Sequence, residues 1–184
     1  MKVNDLIEFV RSIYADEPFI PLHRPVFGGR EVGEVEACIT SNFVSSVGGK
    51  VNEFEQRVAK FVGARFGVAT VNGTSALQVA LRLVGVEVDD EVITQPLTFV
   101  ATCNAVAYLG ARPVFVDVER GSMCLDPDAL IAFLRKTAER RKGACYNKLS
   151  GRRFAACQVM HTFGHPAKVD RLAEICSDWG IPFV

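Results

Sequence analysis

From residue 66 onward, short apolar runs alternate with helix-length amphipathic segments, and few folds accept that order. The runs at 66–71, 91–94, 112–118, 154–160 and 181–184 have the length and content of buried strands. Segments 75–84, 98–109, 126–142 and 168–179 carry apolar residues at helical spacing, and Gly85, Gly110 and Gly180 close three of them. Strands joined by helices of this length need crossover connections, hence a mostly parallel sheet with helices on both faces. The expected class is three-layer α/β.

The first third reads differently. Leu6, Ile7, Val10, Ile13 and Tyr14 form one apolar helix face after a possible cap at Asp5. A loop rich in Pro and Gly follows, then a helix with Val32, Val35 and Ile39, and a third with Phe54, Val58, Phe61 and Val62 that stops at Gly63. The expected organisation is an N-terminal helical segment over 1–65 and an α/β domain over 66–184.

Composition narrows the function. The chain has 21 basic and 21 acidic side chains, so the positive excess that nucleic acid or an acidic membrane surface attracts is missing. The apolar stretch 99–111 is too short to span a bilayer and is broken by Thr102 and Asn104. No secretory h-region follows Met1, and the six cysteines lack metal-ligand spacing, so the expectation is a cytoplasmic protein with reduced structural thiols and no metal. One segment is strongly basic: Arg135, Lys136, Arg140, Arg141, Lys142, Lys148, Arg152 and Arg153 against the single acid Glu139. Residues 146–153, turning at Ser150-Gly151, suit a small hairpin there. The cations are either a solvated face or an attractor for substrate phosphates.

Ligands of an open parallel sheet bind beyond the carboxyl ends of its strands. After run 66–71 come Asn72-Gly73-Thr74-Ser75, opening a helix. Gly73 permits close backbone approach, and the Thr74 and Ser75 hydroxyls stand beside unpaired N–H groups at a positive helix end, which suits a phosphate. The same residues also suit a plain N-cap. After 91–94 comes Phe99 at a helix start, which either packs on its own loop or stacks on a planar ligand. Asn104 interrupts the following apolar stretch and is expected to face the same cleft, and His161 follows run 154–160. Three strand ends thus suggest a site for a flat, phosphorylated molecule.

Asn-Gly-Thr-Ser-Ala-Leu at 72–77, Thr-Phe-Val-Ala-Thr at 98–102, Phe-Val-Asp-Val at 115–118 and Met-His-Thr-Phe-Gly-His-Pro at 160–166 resemble the DegT-type sugar-nucleotide aminotransferases, fold-type I enzymes that use pyridoxal 5′-phosphate (PLP). The segment 42–48 with Phe54-Glu55 is similar to that family's opening, and the insertion around Asn147-Lys148 and Gly151-Arg152-Arg153 looks most like the legionaminic-acid-pathway (LegC-like) branch. The resemblance implies that Gly73, Thr74 and Ser75 hold the cofactor phosphate, that Phe99 stacks on the pyridine ring, and that His161 lies near it. It places Ser45 and Ser46 on the substrate side of a site formed at a homodimer interface. Its reaction passes an amino group from glutamate through PLP to a 4-keto-6-deoxy sugar on a nucleoside diphosphate.

None of Lys2, Lys50, Lys60, Lys136, Lys142, Lys148 and Lys168 matches the family's motif for the lysine that holds the cofactor. That amine is needed for covalent catalysis and is expected beyond Val184, so no residue of this chain is assigned as catalytic. The final apolar run, with no capping turn at the ligand-binding edge, likewise reads as the first part of a larger domain. Two alternatives stay open. A PLP-dependent sugar dehydratase of the same family has a histidine in place of the lysine, and a truncated chain would be non-catalytic. A nicotinamide-binding domain lacks its glycine fingerprint here.

Overall fold

Extended backbone satisfies none of its own hydrogen-bonding groups, so neighbouring strands must supply the partners. In the computed structural model, which describes residues 2–21, 23–141 and 143–184, that requirement selects which apolar runs become strands. The chain divides into Met1–Ala69 and Thr70–Val184.

In the second unit, β1 (Glu91–Thr94) lies at the centre of a parallel sheet, between β2 (Arg112–Phe115) and β5 (Phe154–Cys157). Segment 181–184 continues it on the far side of β5, where Cys157 accepts from Val184 and donates to Pro182. All side chains of β1 and β5 are buried, so both faces are covered. One face packs Leu81, Val86, Val92, Ala105, Val106 and Ala156, bringing α4 (Gly73–Leu83) and α5 (Val100–Ala107) onto the sheet. The other packs Ile93, Leu130, Leu134, Phe154, Leu172 and Cys176 beneath α6 (Pro127–Thr137) and α7 (Val169–Trp179). The three-layer α/β expectation therefore holds.

Two local expectations fail. Run 66–71 is not a strand: no described strand pairs with it, and Phe66, Val68 and Val71 stay exposed. Helix 126–142 stops at Thr137, whose hydroxyl donates back to the Phe133 carbonyl while its own carbonyl accepts from Lys148 N–H. The chain then continues as β3 (Ala138–Arg141), antiparallel to β4 (Ala144–Asn147). Lys142 lies outside the described residues. The expected reversal at Ser150-Gly151 does occur, with Tyr146 bridging Arg153 and Gly151 N–H donating to Asn147.

The first unit holds α1 (Val3–Ile13), α2 (Glu31–Thr40) and α3 (Gly49–Val62), each where its apolar spacing predicts. Asp5 is not the cap: it stands inside α1, and its carboxylate accepts the N–H of Lys2. Gly63 ends α3 at φ 69°, in the left-handed region. Gly67 passes so close to α3 that an added Cβ would lie 2.6 Å from the Glu55 carbonyl oxygen. Near it, the Glu55 carboxylate accepts the Ala69 N–H at 2.8 Å.

All six cysteines are free, Cys124, Cys145, Cys157 and Cys176 being buried. The hydrogen bond with Cys176, together with burial, pushes the Cys157 thiol well above its ordinary value, so it stays protonated. Among the described residues, no helix is long and apolar enough to cross a membrane and no cluster of ligating side chains suits a metal.

Candidate functional site

After β1 the chain crosses to α5 on one face; after β5 it crosses to α7 on the other. Neighbouring parallel strands whose connections leave in opposite directions open a crevice at their carboxyl ends. That crevice is a groove of about 330 Å³ lined by Leu97, Thr98 and Phe99 from the β1 side and Met160, Thr162 and Phe163 from the β5 side. Phe99 caps α5 without any side-chain hydrogen bond and is 72% exposed; Phe163 is 79% exposed. The groove floor is tied by hydroxyls: Thr98 donates to Thr102 at 2.7 Å, and Thr162 to the Met123 carbonyl at 2.8 Å.

At the start of α4, the Asn72 side chain accepts the Ser75 N–H at 2.9 Å, so the cap is Asn72 rather than Thr74 or Ser75. The backbone N–H groups of Gly73 and Thr74 find no acceptor among the described residues, nor do the Thr74 and Ser75 hydroxyls. Two amides and two hydroxyls at a positive helix end make a donor set that suits a phosphate. His161 is exposed, and its Nδ1 accepts the Ala167 N–H at 3.0 Å, which puts the neutral ring's proton on Nε2, free to donate. Asn104 is half-buried within α5.

The structure therefore brings Phe99 into one groove with the strand end that carries His161, although His161 itself does not line it. Gly73, Thr74, Ser75 and Asn104 lie on α4 and α5, which share a face of the sheet but do not line this groove. Ser45 and Ser46 belong to the first unit, where Ser45 lines a separate surface groove with Val35, Phe43 and Lys50.

Sequence reasoning missed the residue that joins these loops. Gln95, just past β1, is fully buried. Its amide donates to the Leu97 carbonyl at 2.9 Å and to Thr162 Oγ1 at 2.7 Å, and its oxygen accepts from Leu125 at 3.1 Å and Met160 at 3.3 Å. A glutamine beside a Pro carries no periodic signal; only the polar break at the end of an apolar run marks it.

Of the two readings left open for the basic segment, its place in the fold disfavours the phosphate attractor. Arg153 donates to both oxygens of Asp90, at 3.1 and 2.5 Å, and to the Gly85 carbonyl at 2.6 Å. Asn147 donates to Glu91 at 2.8 Å, Arg141 pairs with Glu139, and Arg140 reaches the Asp178 carbonyl. The contacts to Gly85, Asp90 and Glu91 sit at the amino-terminal end of β1, opposite the groove.

The model of the DegT/DnrJ/EryC1/StrS aminotransferase family matches residues 26–184. EpsN of Bacillus subtilis (strain 168), whose name describes a pyridoxal phosphate-dependent aminotransferase, is 33% identical over 165 residues, 90% of this chain and 40% of its own length. The spore coat polysaccharide biosynthesis protein SpsC of the same organism is 42% identical over 114 residues, 62% of this chain and 29% of its own. A crystal structure of DesI in the presence of its TDP-sugar product matches with a TM-score of 0.66 at 30% identity, over 86% of this chain and 36% of that one. This chain thus spans between 29% and 40% of the length of these curated relatives.

Proposed function

The chain belongs to the DegT/DnrJ/EryC1/StrS aminotransferase family, and from that premise we propose that it forms the cofactor-holding face of a PLP-dependent sugar aminotransferase. The observation that carries this reading is the exposed ring of Phe99 in a groove at the switch point of the sheet. The open donors of α4 supply the second half of a site for a flat, phosphorylated ligand.

In this reading Gly73, Thr74 and Ser75 bind the cofactor phosphate, Phe99 stacks on its ring, and His161 offers Nε2–H beside it. When bound, PLP supplies an electron sink, while the protein supplies orientation and electrostatics. Asn104, Ser45 and Ser46 are assigned to the substrate side. The amino donor is glutamate and the acceptor a 4-keto-6-deoxy sugar on a nucleoside diphosphate, a substrate class supported by the TDP-sugar product of DesI. The LegC-like branch, a cytoplasmic location and a homodimeric assembly belong to the same proposal.

None of the described lysines lines the groove, and Lys168 is engaged with Glu119. We therefore assign the cofactor-bound lysine to a part of the complete protein outside this chain. Phe99→Ala in that protein is expected to weaken PLP binding about tenfold, the size of one aromatic stacking contact. Equilibrium binding to the apo-protein measures it, and unchanged affinity sinks the assignment.

A further inference from the structure

A glutamine side chain can donate twice and accept twice, and burying it without partners is costly. Gln95 is buried at 0% exposure and spends both ends of its amide on loops. Leu97 precedes Phe99 after β1, Leu125 follows β2, and Met160 and Thr162 follow β5. Thr162 relays the network to the Met123 carbonyl. The two loops that wall the groove are thus hydrogen-bonded to one buried side chain, itself outside the groove lining.

Phe163 shows what that network restrains. Its φ of 53° lies in the left-handed region, which a bulky side chain rarely adopts. Such a conformation persists only where neighbours over-determine it, and Thr162, the residue before it, is the one Gln95 holds.

We propose that Gln95 is a positioning residue of the site: its buried amide fixes the loops of Phe99 and Phe163, and so sets cofactor affinity through Phe99. This rests on reading Phe99 as the stacking residue. Gln95→Leu keeps the bulk but strands the Leu125 and Met160 amides and the Leu97 carbonyl. Thr162→Val cuts one arm of the network, and Thr162→Ser restores its hydroxyl.

The test is a double-mutant cycle in the complete apo-protein, with PLP affinity read by equilibrium dialysis. Gln95→Leu and Thr162→Val are each expected to raise the Kd about tenfold, with Thr162→Ser within about twofold of the starting protein. In a Phe99→Ala background, Gln95→Leu should add less than about twofold, because the ring it positions is gone. Equal factors with and without Phe99, or an unchanged Kd in a folded Gln95→Leu protein, overturn the proposal alone. A Phe99→Ala protein that binds PLP normally overturns the stacking reading and the proposal together. If Gln95→Leu does not fold, Thr162→Val run through the same cycle decides by the same criterion.

Discussion

Asp90 and Arg153 show how charge alone leaves a residue's role open. The Asp90 carboxylate is almost buried and also accepts the Glu87 N–H, so it depends on the guanidinium that grips it. Arg153→Ala is expected to cost about 2–3 kcal/mol in denaturant unfolding, below the range for a fully buried pair because a third of the Arg153 side chain meets water. Asn72→Ala removes the α4 cap and is expected to cost about 1 kcal/mol in the same measurement. Glu119 gives a pH signature. Bonds from Lys168 and then from Ser122 hold its carboxyl below the usual carboxylate range. A lowered folded value means that this contribution is complete at neutral pH and is lost as pH falls through that value. Lys168→Ala should move the Glu119 titration back up, read from its carboxyl carbon shift; an unmoved titration would show that Lys168 is not the cause.

At the scale of elements, the readable features were those with local causes. Helices α4, α5 and α7 begin and end within a residue or two of their apolar patterns, since capping and periodicity act over one turn. What long-range pairing decides was not readable. Segment 66–71 has the apolar content of a strand, yet no described neighbour completes its ladder. Residues 138–141 continue a helical pattern but become β3, because Lys148 takes the last helix carbonyl. The candidate site divides along the same line. Phe99 and His161 stood out as an aromatic and a titratable ring shortly after apolar runs, whereas the role of Gln95 rests on partners up to 67 residues away. The left-handed φ of Phe163 has no signature in a residue type that normally avoids it. The hairpin's place at the far edge of the sheet carries its own prediction. Arg140→Glu with Lys148→Glu should leave PLP affinity of the complete protein unchanged, and a loss in the binding titration would return the basic segment to the site.

In the second unit, two covered faces and a reversal of crossover direction between β1 and β5 open a crevice at the strand ends where ligand binding is geometrically favoured. The family match over residues 26–184 agrees with that architecture, and the chain covers less than half of the relatives' length. Under the proposed function, residues here hold and orient the cofactor and its lysine comes from elsewhere in the complete protein. The most direct test is borohydride reduction of that protein with PLP, followed by peptide mapping. One phosphopyridoxyl-lysine is expected, outside residues 1–184. A label fixed on Lys50, Lys168 or any other lysine of this chain would contradict it.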